Sequence, residues 1–343
     1  MEVQQNVLYV MTQGAYLHRD HLALQVQVEK QVRLAVPIHN VQAVALFGNV
    51  MVSPAAMQLC AENSTSITFL SESGRMMARV DAPVSGNVLL RREQFRQADQ
   101  PERSLAHARC IVAGKLQNCR ANLLRSARDH SAPDDQEALR RAARDIAAGQ
   151  RRLPQCQTTD EVRGTEGNAA RTYFGVFGKM IRQDRDSFAL QGRSRRPPLD
   201  RGNALLSYLY ALLLNDCIGA LVAAGLDPNV GYLHTDRPGR PSLALDLMEE
   251  FRPLLADRMA LTLINRRQVT PGDFTVREGG AVEISETARR GIVAAWQERK
   301  QDQTTHLLLG QTVRVGLLPH LQARVLARTI RGDLGSYLPC RLK

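Results

Sequence analysis

The sequence predicts an α+β chain, with a β-rich domain over residues 1–90 and a larger all-α domain over 91–343. Two observations lead there. Short Val/Leu-rich runs, several of them alternating, crowd the first 90 residues. After Gly86 the pattern changes to Ala/Leu/Arg-rich stretches with helical spacing. A chain of 343 residues is long enough for each part to bury a core of its own.

The strands are read from NVLYVMT, HLALQVQVE, VRLAVPI, VQAVALFG, SITFLSES and RMMARVD, punctuated by Gly14, His39-Asn40, Gly48 and Ser73-Gly74. Pro54–Asn63 reads as a short helix, and the whole as a compact sheet with closing turns. Arg91–Leu153 has helical spacing, interrupted near Ser131-Ala132-Pro133, and Asp160–Ile181 is a strong helix. Arg182–Asp200 is a polar, basic loop. Asn203–Ala224 is almost wholly apolar and reads as a buried core helix, since Asn215 and Asp216 argue against a membrane span. Asp227–Arg240 is a loop, and Pro241–Met259 a helix with Pro241 at its first position. Thr270–Ile284 reads as a small hairpin or irregular insert, and Glu286–Lys300 and Pro319–Ile330 as helices.

Charge narrows the function. The net charge is +11. Residues 1–90 carry five Lys/Arg against six Asp/Glu, so the excess, 40 against 28, lies in 91–343 and is mostly arginine. Such a surface favours a polyanion, and arginine forks pair bidentately with phosphate. The six cysteines form no CxxC and no cluster with zinc spacing, so they read as free thiols of a reducing cytoplasm. The N-terminus has no signal-peptide pattern, and no membrane partner is expected.

The chemistry concentrates in His234–Pro253, HTDRPGRPSLALDLMEEFRP. An isolated histidine is followed by an Arg/Pro/Gly turn and a helix in which Asp246 and Glu249, three apart, share a face. Glu250 points elsewhere, toward an arginine. Upstream, Glu166 falls on the apolar face defined by Val162, Ala169 and Tyr173, where a carboxylate must be paired, protonated or metal-bound. Its flanking Gly164 and Gly167 let a backbone or ligand come close. Taken singly, each of these residues has a bland reading: a frayed first turn, a loop histidine, a solvated acidic face. Together Glu166, His234 and Glu249 make the oxygen-rich, single-histidine set of a Mg²⁺- or Mn²⁺-dependent phosphodiester enzyme. Arg237, Arg240 and Arg252 surround it, and the loop GRSRRPPLDRG adds Arg193, Arg195 and Arg196 as DNA-backbone contacts. Tyr173, Tyr208, Tyr210 and Tyr232 are more often core than base-stacking residues at this aromatic content.

NVLYVMTQGAYL, PIHNVQAVALFG, GNVLLRR, GTEGNAARTYF, GRSRRPPLDRGNALLSYLYALL, GYLHTDRPGRPSLALDLMEEFRP and the late RGDL together span nearly the whole chain. In these segments it resembles the CRISPR-associated integrase/endonuclease family, the universal large subunit of the spacer-acquisition complex, and looks most like the subtype I-C branch. The resemblance implies an N-terminal β-domain and a C-terminal α-domain. It also implies a homodimer through the β-domains and a small adaptation partner subunit flanked by two dimers. The metal triad it implies falls on Glu166, His234 and Glu249, with Asp246 a nearby functional carboxylate. The implied activity inserts short DNA fragments, the prespacer duplexes, into a CRISPR repeat by attack of a 3′-hydroxyl. The same site using water would be a metal-dependent nuclease acting on branched or repair intermediates. A DNA-binding scaffold without catalysis is the alternative from another class.

Overall fold

The computed structural model describes residues 7–81, 87–190, 192–194 and 197–341. A strand-rich N-terminal region precedes a mostly helical one, as predicted. The chain divides into two compact units: Met1–Gly86 with Val293–Glu298, and Asn87–Ile292 with Arg299–Lys343.

The first region holds β1 (Val7–Val10), β2 (Tyr16–Asp20), β3 (Ala23–Val28), β4 (Gln31–Pro37), β5 (Ala43–Phe47), β6 (Met51–Val52), helix α1 (Pro54–Glu62), β7 (Ser66–Leu70) and β8 (Met76–Val80). The strands form two sheets, where the sequence suggested one. In the first, ordered β1-β5-β7-β8, β5 runs parallel to both neighbours and β8 is antiparallel to β7. In the second, ordered β4-β3-β2-β6, a meander meets the short parallel strand β6. The strand β2 escaped the sequence reading because YLHRD is largely polar; its pairing with β3 in register Tyr16↔Gln27 makes it a strand. Central β5, AVALF, is a continuous apolar run buried from Val44 to Phe47, as a strand flanked by parallel neighbours requires. Ser53 caps α1 by accepting from the Ala56 amide at 3.1 Å, with Pro54 in the first turn. Leu17, Leu24, Val44, Leu46, Leu59 and Ile67 form the core.

The second region holds α2 (Val88–Ala98), α3 (Pro101–Asp129), α4 (Pro133–Arg152), α5 (Thr159–Gly175), α6 (Arg201–Ala223), α7 (Ser242–Phe251) and α8 (Arg258–Asn265). The hairpin β9 (Phe274–Val276) and β10 (Val282–Ile284), predicted as an insert, precedes α9 (Glu286–Gln301). A second hairpin, β11 (Gln303–His306) and β12 (Gln311–Arg314), was missed because QTTH and QTVR are short and polar. The chain ends with α10 (Leu318–Arg331). Apolar α6 is long enough to cross a membrane by length and composition, but it is mostly buried in this unit, as the core-helix reading expects.

Helix α3 is the axis of the site, packing against α4, α5 and α7. One row of it is buried and polar: His107, Lys115, Asn118 and Asn122. Gly114 in the same helix lets the C-terminal segment cross, since a Cβ there would come within 2.5 Å of Pro339 Cβ.

The predicted helix Pro241–Met259 differs in two ways. Pro241 is the residue before the helix (φ −78°, ψ 73°), and α7 begins at Ser242. The helix also does not stop at Met259: a π-helical stretch, Arg252–Asp257, joins α7 to α8 and the run continues to Asn265. Pro253 has no amide hydrogen for the α-helical bond to Glu249, and the turn widens there. The predicted helix Asp160–Ile181 is likewise divided, with α5 ending at Gly175 and a 3₁₀ turn over Phe177–Met180.

Candidate functional site

Four segments build the site: α3, α5, the loop Gly231–Arg240 and the α7/π-helix run. The loop is held by Asp246, which is fully buried on α7. One carboxylate oxygen, Oδ2, accepts from the amides of Tyr232 (2.6 Å) and Leu233 (3.0 Å). The other, Oδ1, accepts from the His234 amide (2.9 Å) and contacts His234 Nδ1 at 2.6 Å. Gly231 is required by this close approach, because a Cβ would fall 2.8 Å from Ser242 Cβ and 3.0 Å from Asp246 Oδ2. Arg163 on α5 braces the loop from outside, donating to Leu233 O (2.9 Å) and Thr235 Oγ1 (3.2 Å). The Tyr232 ring stacks on His107 of α3 at 4.2 Å. With Nδ1 engaged by Asp246, the free ring nitrogen of His234 is Nε2, and it lies 3.8 Å from Glu249 Oε1.

A cavity of about 140 Å³ opens at this point, lined by Glu166, His234, Glu249, Lys115, Arg252 and Asp257, with Tyr173, Phe174 and Tyr210 among its walls. Glu166, His234 and Glu249, from three different segments, therefore converge. Lys115 of α3 reaches between the two glutamates: its Nζ donates to Glu166 Oε1 and lies 2.5 Å from Glu249 Oε2. Arg252 places Nε 3.1 Å from Glu249 Oε1 and stacks its guanidinium on the Tyr210 ring at 4.5 Å. Burial disfavours the charged form of Glu249, but Arg252, Lys115 and His234 outweigh it and hold the carboxyl below the usual range. Burial also works against the Lys115 ammonium, and Glu249 and Glu166 outweigh it, raising its pKa. Burial pushes Asp257, whose Oδ1 accepts from Tyr210 Oη at 2.7 Å, up to about 6.

The residues suit a hard divalent cation in kind. Two carboxylates and one imidazole ring face one space, a hard-oxygen and nitrogen donor set of the kind such an ion takes. An ammonium already sits between the carboxylates, which marks a position for positive charge. They are not drawn into a coordination shell: among the described residues, no three His, Cys, Asp or Glu side chains close around one point.

Several sequence expectations are corrected. Asp246 shares a helix with Glu249 but faces His234 and the loop amides, and it is absent from the cavity wall; it orients the histidine. Arg252 is buried against Glu249 and Tyr210, so it serves the cavity and not an exposed DNA track. Arg193 turns inward, donating to Asn203 Oδ1 (2.5 Å) and lying over the Tyr210 ring at 5.2 Å. Arg237 is exposed and Arg240 half-buried. Arg195 and Arg196 lie outside the described residues. Glu250 does point elsewhere, but its partners are the Tyr337 hydroxyl and the Cys340 amide, both at 2.5 Å, and not an arginine. Cβ atoms at Gly164 and Gly167 would meet open space, so no backbone crosses there. All four tyrosines singled out are buried.

Lys115 and Asp257 were missed. Lys115 sits in an unremarkable helix, 51 residues before Glu166, and only folding brings them together. Asp257 had a fainter signal, eight residues after Glu249 and downstream of Pro253, which alters the helical register.

Known structures share this architecture. A CAS1 protein from Thermotoga maritima matches with a TM-score of 0.82 at 22% identity, over 95% of this chain and 97% of that one. A casposase bound to integration product matches with a TM-score of 0.83 at 20% identity, over 97% and 93%. At these identities the likeness defines the fold: a strand-rich N-terminal region and a helical body. Sequence defines the family. The model for CRISPR associated protein Cas1 matches residues 8–298. CRISPR-associated endonuclease Cas1 1 of Moorella thermoacetica is 48% identical over 339 residues, 99% of either chain. The protein of that name from Chlorobaculum tepidum is 44% identical over the same share. The chain belongs to the Cas1 family.

Proposed function

We propose that this protein is a metal-dependent DNA integrase and endonuclease that inserts short DNA duplexes into a CRISPR repeat, working as a subtype I-C homodimer with a small adaptation partner in the cytoplasm. The observation that carries the reading is the convergence of Glu166, His234 and Glu249 on one cavity with the cations Lys115 and Arg252. The endonuclease names of the 48% and 44% identical relatives support it, as does the fold shared with a casposase bound to integration product.

Glu166, His234 and Glu249 would hold Mg²⁺ or Mn²⁺. When bound, the ion supplies Lewis-acid polarisation of a phosphodiester and stabilises developing negative charge. The protein's own part follows from the geometry. Asp246 fixes the His234 tautomer, leaving Nε2 toward the cavity. Arg252 is pinned by Glu249 and the Tyr210 face, so its charge is in place before a phosphate arrives. Exposed Arg237 and its neighbour Arg240 hold the DNA backbone outside.

Strand transfer on a supercoiled plasmid carrying a repeat tests this. A short duplex with 3′-hydroxyls, Mn²⁺ and the partner subunit are supplied, with His234→Ala as control. Joined product that disappears in the control is expected. Nicking without joining, lost in the same control, would leave a nuclease and overturn the integrase reading.

A further inference from the structure

Glu166 and Glu249 lie on different helices, one partly and one almost fully buried. Two carboxylates facing one cavity repel unless a cation lies between them. The chain supplies that cation itself: the Lys115 side chain is 10% exposed and contacts both. Arg252 adds a second positive charge on the far side of Glu249. Lys115 and Arg252 offset the charge of these two carboxylates, and Asp257 is a third carboxyl on the same wall.

We propose that the Lys115 ammonium is a resident counter-ion of the Glu166–Glu249 pair, which competes with the divalent ion and couples its binding to that of the DNA phosphate. The inference rests on the metal-site reading above. A divalent ion entering between these carboxylates puts its positive charge beside the Lys115 ammonium. The repulsion is relieved when Lys115 swings off the carboxylates and a phosphodiester enters to take up its charge. Lys115 is anchored mid-way along α3, so the place its ammonium can reach is the cavity that would hold the phosphate. Metal alone therefore binds weakly, and metal with DNA binds well. By linkage, the metal strengthens DNA binding by the same factor.

The test is Mn²⁺ binding to the full-length protein, read from the electron paramagnetic resonance signal of free Mn²⁺, with and without a short DNA duplex. The proteins are wild type, Lys115→Met, and Glu166→Gln as site control. Without DNA, Lys115→Met should bind Mn²⁺ roughly tenfold more tightly than wild type, because a repelling charge a few ångströms away is gone. The gain in Mn²⁺ affinity on adding DNA should be larger in wild type than in Lys115→Met. Equal or weaker Mn²⁺ affinity in Lys115→Met, with binding still lost in Glu166→Gln, overturns the counter-ion role and leaves the metal site standing. Mn²⁺ binding unchanged in Glu166→Gln overturns the metal site itself. Lys115→Gln keeps a hydrogen-bond donor without the charge, and gives the same reading if the methionine variant does not fold.

Discussion

At the scale of single residues, Asp246 shows how much of a site lies behind the groups that face a ligand. Its two oxygens meet three backbone amides and the His234 ring, and it never touches the cavity. Asp246→Asn keeps the size but loses charge and acceptor capacity, so the His234 ring is no longer held in one tautomer. Mn²⁺ affinity should fall about 10- to 100-fold, as for other partners behind a metal ligand, which the same titration of free Mn²⁺ checks. Unchanged affinity would show that the loop amides alone orient the histidine.

Glu250 is its neighbour on α7 and has a structural task. Its carboxyl receives Tyr337 Oη and the Cys340 amide, so it ties the segment after α10 to α7. Burial pushes its pKa up to about 8. The unfolded value is about 4.3, so the folded state holds the proton more tightly. The stability this proton lends is complete below the unfolded value and is lost as pH rises through the folded one. Thermal or urea unfolding should therefore show stability falling between about pH 5 and 8. Glu250→Gln removes this titration and should flatten the slope by up to roughly 1.4 kcal/mol per pH unit. An identical slope in the variant would assign the dependence elsewhere, Asp257 being the next buried carboxyl with a raised value.

At the scale of elements, the α7/π-helix run decides which side chains meet. In an unbroken α-helix, Pro253 would clash with the preceding turn. The π stretch relieves the clash and carries Arg252, Pro253 and Asp257 onto the cavity wall with Glu249. Asn122 of α3 fixes the same turn, donating to Pro253 O at 2.6 Å and accepting from Arg258 Nε at 2.6 Å. Asn122→Ala strands the buried Pro253 carbonyl and the half-buried Arg258 guanidinium, and a loss of about 2 to 4 kcal/mol is expected in urea unfolding. A loss below 1 kcal/mol would mean that solvent replaces those bonds.

At the scale of the whole molecule, the basic excess is the largest electrostatic feature, since 91–343 carries all of it. Exposed Arg237 is the residue to separate backbone contact from chemistry. Arg237→Ala should weaken binding to any duplex about equally and reduce the slope of log K against log salt by roughly one. A filter-binding series over salt concentration reads both, and an unchanged slope would remove Arg237 from the DNA contacts.

The sequence by itself determined the order of strand-rich and helical regions, most helices of the second, and three groups now found on one cavity wall. Those features are written locally: hydrophobic period sets the element, and the His234–Pro253 stretch packs its chemistry into one short run. Only the tertiary structure decided the rest. YLHRD is a strand because β3 pairs with it, the split into two sheets depends on contacts far apart in sequence, and the turn at Pro253 widens inside a packed helix. Asp246 turned to the histidine, Arg193 and Arg252 turned inward, and Lys115 arrived from a helix with no visible motif. The physical reason is common to all of them. Which way a polar side chain faces depends on the partner waiting for it, whether 3 residues away for Arg252, 12 for Asp246 or 51 for Lys115, and packing chooses that partner, which no local pattern records.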